Sequence, residues 1–152
     1  MHYPGMNIAD LVATPLYLLL FYLPAYFIVR RKYTGTPFAR LFYWGLSLKF
    51  LGCIGFALVY QFYYGIGDTF RYYGNASTLV HYFLTEPATF LEFMSRLQVP
   101  RNELSEVVGI TDAFSKPSTF MVIRAGALFG LLAMNLYLPT SLFFAFFSFL
   151  GV

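Results

Sequence analysis

From Ile8 to Val29 the chain reads IADLVATPLYLLLFYLPAYFIV, an almost unbroken apolar run of the length a bilayer core requires, about 20 residues. Pro15 and Pro24 lie inside it and predict kinks, which membrane helices tolerate where neighbours satisfy the freed carbonyls. A second run, Leu41 to Tyr64, ends in the aromatic cluster that marks a water interface. A third starts near Phe120 and extends to Tyr137, and a fourth, from Pro139 to Val152, is too short for a full crossing. The segment between the second and third runs has a different pattern. Tyr72, Ala76, Leu79, Val80 and Phe83 recur at helical spacing, with Asn75, Ser77, Thr78 and Tyr82 turned elsewhere. After a break at Thr85-Glu86-Pro87, a second stripe follows: Phe90, Leu91, Met94 and Leu97, flanked by an i,i+4 pair, Glu92 and Arg96. These stripes predict two amphipathic helices lying along the membrane surface. Val99 to Lys116 reads as loop with a short helical turn.

The expected fold is therefore all-α and polytopic. One membrane domain covers residues 1–152, with three full spans at about 8–29, 41–64 and 120–137, a truncated fourth at 139–152, and an outer segment at about 65–119. The short last run leads to the expectation that this chain is the N-terminal piece of a longer polytopic protein. The third run carries Gly126-xxx-Gly130 flanked by Ala127 and Ala133, a small-residue face that admits another helix closely.

Composition agrees with the pattern. The chain is 59% hydrophobic and 11% charged, whereas soluble domains carry about 25% charged residues. A water-soluble domain is excluded, and a net charge of +3 is too small to argue for nucleic acid. The single cysteine, Cys53, sits inside an apolar run, leaving no internal disulfide and no metal motif. The first run lacks the basic start and small-residue cleavage site of a signal peptide, so it reads as a retained span. Arg30, Arg31, Lys32 and Arg40 crowd the short connection between the first two spans. The positive-inside rule places that connection in the cytoplasm, and the N-terminus and 65–119 outside.

Candidate chemistry concentrates where the second span ends, at YYGIGDTFRYYGNA. Asp68 has two compatible readings: helix N-cap, shared with Thr69, or a carboxylate acting as general base on a hydroxyl nucleophile. Arg71 lies one turn on and either pairs with Asp68, holds phosphate or simply faces water. Arg124, about four residues into the third span, either snorkels to the interface or meets an anionic headgroup or pyrophosphate, for which guanidinium is suited. Lys49, inside the second span, is an intramembrane charge and so a functional candidate, or it snorkels. His81 has no neighbouring ligand residue in sequence and reads as an interfacial contact. His2 lies at the terminus. Asn75-Ala76-Ser77 matches a glycosylation acceptor but falls inside a predicted helix. The tyrosines, Tyr72 among them, could stack on sugars, although interfacial belts account for most.

The stretch KFLGCIGFALVYQFYYGIGDTFRYYGNA, Lys49 to Ala76, resembles the N-terminal part of bacterial polytopic membrane proteins of surface-polysaccharide synthesis, the polymerase-like and membrane glycosyltransferase-like proteins that use lipid-linked sugars. SLFFAFFSFLG near the end of the chain resembles them too. In such glycosyltransferases an early outer loop carries an essential acid, followed by helices on the membrane. The resemblance puts Asp68 at that position, here after the second span rather than the first. It implies a multi-pass protein of the bacterial inner membrane that takes a polyprenyl-phosphate-linked sugar at the outer face. Asp68 would be base or metal contact, with Arg71, Tyr72 and Arg124 on the substrate and its phosphate. A divalent metal is compatible with this chemistry, but one carboxylate is not a site. Two other readings compete: a non-catalytic subunit docked through Gly126 and Gly130 onto a partner or onto further helices of a longer protein, and a transporter resting on Lys49 and Arg124.

Overall fold

The computed structural model describes residues 5–65, 67–96 and 117–151, and every regular element among them is helical. The helices are α1 (Ile8–Lys32), α2 (Phe38–Val59, continued by a π-helical turn, Tyr60–Tyr64), α3 (Asp68–Thr85), α4 (Pro87–Ser95), α5 (Pro117–Leu132) and α6 (Tyr137–Leu150). The expectation of a loop with a helical turn at Val99 to Lys116 lies outside the described residues, as does Leu97. Among the described residues two helices are long and apolar enough to cross a membrane: Ile8–Lys32, of 25 residues, and Phe38–Tyr64, of 27. The runs expected as a third span and a truncated fourth form helices of 16 and 14 residues, each short of the usual length on its own. The chain folds as two compact units, one formed by 6–65 and 136–152, the other mainly by 66–135.

In the unit holding α1, α2 and α6, one stripe of α1 is buried at steps of three and four residues: Asp10, Thr14, Tyr17, Phe21, Ala25 and Val29. The helix runs on through Pro15 and Pro24. α6 packs against both long helices, which touch each other little. Tyr137 to Thr140, Leu142, Phe143, Ala145 and Phe146 are all buried. The short run expected as a truncated span is thus the core of its unit. Phe21 meets Phe143 edge-on at 4.8 Å between ring centroids and Phe146 at 5.0 Å, with Phe50 of α2 at 5.6 Å. Such aromatic contacts add about 0.5–1.5 kcal/mol each beyond the area they bury. Gly45 keeps α2 close to α6: a Cβ there would stand 3.1 Å from the Phe149 ring. Outward, α1 and α2 present Val12, Leu19, Trp44 and Leu51 at more than 60% exposure, an apolar surface suited to lipid.

Asp10, 1% exposed, ties this unit together. Its Oδ2 accepts from Asn7 N–H at 2.9 Å while Asn7 Oδ1 accepts from Asp10 N–H at 3.0 Å, a reciprocal capping box. Its Oδ1 accepts from Leu138 N–H, in the first turn of α6, at 2.8 Å. One carboxylate therefore closes two helix N-termini, where the positive dipole ends favour an anion.

In the second unit, α3 and α4 cover α5. Ala76, Leu79, Val80, Phe90, Phe93, Phe120, Ile123 and Ala127 form its core. The sequence stripes are largely the right ones, but they meet α5 instead of depending on lipid for cover. Four positions differ. Phe93 is buried where Leu91 was expected, and Leu91 is 64% exposed. Asn75, expected off the apolar stripe, is buried, while Phe83 is 44% exposed, although its ring still packs on Phe90 at 5.2 Å. Glu86 ends α3 and begins α4, as the Thr85-Glu86-Pro87 break predicts, with Pro87 in the first turn. The Glu92–Arg96 ion pair is formed.

Gly130 shows what the small-residue face does: a Cβ there would lie 3.1 Å from Val80 Cγ2, so α3 of the same chain occupies this position. Gly130→Leu is expected to cost about 1–3 kcal/mol by overpacking. Gly130→Ala should cost less and be offset by Val80→Ala in the double variant. Thermal unfolding of the four proteins in detergent checks this, and a Gly130→Leu protein as stable as the parent would mean that the contact does not hold the helices together. α5 then stops sharply. Asn135 N–H reaches back to the Gly130 carbonyl at 2.7 Å, while Met134 and Asn135 both take φ of +54°. A left-handed conformation costs a residue with a Cβ roughly 1–2 kcal/mol. Met134 is 75% exposed, so Met134→Gly is expected to raise stability by about 1 kcal/mol in the same assay.

Candidate functional site

Asp68 begins α3, but it does not cap it. The N-cap is Gly67, in extended backbone, and no side chain bonds the free amides there. The capping role that sequence offers for Asp68 is therefore absent, and the Thr69 hydroxyl is buried without a hydrogen-bond partner. Asp68 is exposed in the first turn, where the helix dipole favours a carboxylate without requiring contact. Arg71, one turn on, is also exposed, and no ion pair joins the two. Tyr72 is half-buried beside it. Asp68, Arg71 and Tyr72 thus share the first turn and a half of one helix, with carboxylate and guanidinium open to solvent.

Arg124 is elsewhere. α5 runs antiparallel to α3: Asn135 meets Tyr73 and Ser77, and Gly130 meets Val80. At about 1.5 Å per residue, the levels of Asp68 and Arg124 along the helix pair differ by roughly 25 Å. Arg124 is only 7% exposed. One guanidinium nitrogen donates to the carbonyl of Arg96, the residue that ends α4, and the group lies 4.5 Å from the Phe120 ring centroid. Its Nε–H has no partner. A cation at a helix C-terminus over an aromatic face holds α4 onto α5. The structure does not bring it to Asp68, and it does not snorkel to solvent as the sequence allowed.

The remaining candidates are dispersed. Lys49 and His81 are exposed, and Asn75 is buried within α3. His2 lies outside the described residues. Among the described residues no three His, Cys, Asp or Glu side chains gather where they could hold a metal ion.

Sequence reasoning missed two residues. Asp10 reads as an incidental acid at the start of a span, although Asn-x-x-Asp at positions 7–10 is a capping-box spacing that marks it. Asn135 donates from its side-chain amide nitrogen to Ser77 Oγ at 2.8 Å and accepts at its backbone carbonyl from the Tyr73 hydroxyl, while its own Oδ1 is buried and unpartnered. Thr69, Tyr73 and Ser77 follow one another at i,i+4 on α3, a polar stripe beginning next to Asp68.

Comparison with family models, curated proteins and solved structures finds no match to this chain.

Proposed function

We propose that this protein is a membrane glycosyltransferase or polysaccharide polymerase acting on polyprenyl-phosphate-linked sugars at the outer face of a bacterial inner membrane. The observation that carries the reading is Asp68. It follows an aromatic-ended membrane-length helix, is exposed, and lacks the capping bond that would account for it structurally. In the reaction its carboxylate takes the proton of an acceptor hydroxyl. The hydroxyl oxygen attacks the anomeric carbon, and the bond from that carbon to the phosphate oxygen breaks, its electron pair leaving with the phosphate. Arg71 supplies the guanidinium for the leaving phosphate and Tyr72 a face for the sugar. Arg124 has no direct part, because it sits at the far end of the helix pair and caps α4.

Gly130 of the small-residue face is covered by Val80 of the same chain, which favours this reading over docking through that position. The test is sugar transfer from a polyprenyl-phosphate-linked donor by the complete protein, with Asp68→Asn compared against the parent. Undiminished transfer by a folded Asp68→Asn protein would overturn the proposal.

A further inference from the structure

Arg30, Arg31, Lys32 and Arg40 stand at the connection between α1 and α2, and all four are exposed. The chain holds no Asp or Glu between Asp10 and Asp68. The acid of this unit, Asp10, is buried near the opposite end of α1, roughly 30 Å away along the helix at about 1.5 Å per residue. Over that distance ordinary salt screens it from the cations. Among the described residues Arg31 and Lys32 have no hydrogen-bond or ion-pair partner. Two of the last carbonyls of α1 have other partners, since Tyr33 N–H bonds Val29 O and the Thr34 hydroxyl bonds Arg30 O, and neither Arg31 nor Lys32 donates to a carbonyl of the helix end. The helix C-terminus therefore does not neutralise the cationic heads by direct contact.

These heads border a cavity. Phe27, Ile28, Arg31 and Lys32 line a groove of about 310 Å³, open on one side, whose exposed surface is almost wholly apolar. Its size is at the lower end of small-molecule sites, roughly 300–1,000 Å³. Phe27, 54% exposed, continues into the apolar face that α1 turns outward through Leu23, Leu20 and Leu16. A hydrocarbon wall ending in two unpaired cations matches one kind of molecule, a chain with an anionic head.

From this we infer that the groove at the C-terminal end of α1 is a binding site for an anionic phospholipid of the surrounding bilayer. Its phosphate rests between Arg31 and Lys32, and the first methylenes of an acyl chain lie on Phe27 and Ile28. Arg30 and Arg40 add field without lining the groove. The guanidinium supplies two parallel donors to phosphate oxygens and the ammonium a point charge. The inference is independent of the Asp68 chemistry, which lies on the other unit.

The experiment is native mass spectrometry of the full chain released from neutral detergent, with phosphatidylglycerol and phosphatidylcholine of identical acyl chains added in equal amounts. The parent is expected to retain one phosphatidylglycerol in clear preference to phosphatidylcholine. Each cation near a membrane surface contributes roughly fivefold to binding of anionic lipid, so Arg31→Gln/Lys32→Gln should weaken retention about 25-fold. Lys49→Gln, which removes an exposed cation away from the groove, should leave retention unchanged. Ile28→Trp fills the groove but keeps every charge. It should also lose the lipid, and it carries the test if the double variant does not fold. Equal retention of the two lipids, or equal loss from Lys49→Gln and the double variant, would overturn the site. So would full retention by Ile28→Trp. Displacement of the lipid by millimolar inorganic phosphate would show a simple phosphate site and overturn the phospholipid assignment.

Discussion

Asp68→Asn is expected to reduce sugar transfer by the complete protein about 10²–10⁴-fold, the contribution of a positioned general base. The amide is nearly the same size and fits the same first turn of α3, but it has no lone pair basic enough to take a proton from a hydroxyl. Because Asp68 is exposed and makes no capping bond, the substitution removes only its favourable charge at the helix N-terminus. The stability cost should therefore stay below about 1 kcal/mol. Arg71→Ala should act differently, raising the donor KM more than it lowers kcat, as loss of a phosphate contact does. Arg124→Met supplies the contrast. Its guanidinium holds the end of α4, so the substitution should lower the unfolding temperature while transfer per folded molecule persists. Transfer is measured with labelled donor in membranes of matched expression, and stability by thermal unfolding in detergent. An Asp68→Asn protein of full activity would reduce the aspartate to a dipole partner of α3. A folded Arg124→Met protein without activity would return the arginine to the chemistry.

The second large effect is on stability. Asp10→Ala is expected to destabilise the unit of α1, α2 and α6 by about 2.5–4 kcal/mol, from two losses. The capping box with Asn7 disappears, worth about 1 kcal/mol. The buried Leu138 N–H is also left without its charged acceptor, at a cost of about 1.5–3 kcal/mol. Water cannot readily replace it, since Asp10 is 1% and Leu138 1% exposed. Asp10→Asn keeps one acceptor oxygen, so it can serve Asn7 or Leu138 but not both, and it gives up the anion at two dipole ends. Its cost should be about half that of alanine. Thermal unfolding of both variants in one detergent checks the order. Equal, small losses would mean that aromatic packing around Phe21 holds α6 without the carboxylate. With a loss of this size, α6 should detach first, seen as faster hydrogen exchange at its amides than at those of α1.

Much of the fold is legible along the chain because hydropathy is local and additive. A run of apolar residues long enough for a bilayer declares itself residue by residue, and so do α1 and α2. The Thr85-Glu86-Pro87 break is legible for a similar reason, since proline at a helix start acts on its own neighbours. The stripes of α3 and α4 are nearly so: helical spacing identifies Ala76, Leu79, Val80 and Phe90, but it cannot choose between Leu91 and Phe93. That choice depends on how α4 is rotated against α5, which a one-dimensional period does not contain. The candidate site divides the same way. Asp68 and Arg71 are close in sequence and remain close in space, whereas Arg124 joins them only in a reading by chemical type.

The sequence by itself determined that this chain is helical, that α1 and α2 are of membrane-crossing length, and where its charge falls along them, whereas the run expected as a third full span forms a helix of 16 residues. Tertiary structure alone decided which polar atoms meet. Asp10 reaches the amide of Leu138 across 128 positions, Arg124 the carbonyl of Arg96, and Asn135 the hydroxyl of Ser77. It also decided that the short apolar run after Leu136 packs into the core of a unit. The physical reason is that partition into an apolar phase follows from each residue's own side chain. A buried hydrogen bond, by contrast, requires two groups at one distance and angle, and that condition is met only once the helices have packed.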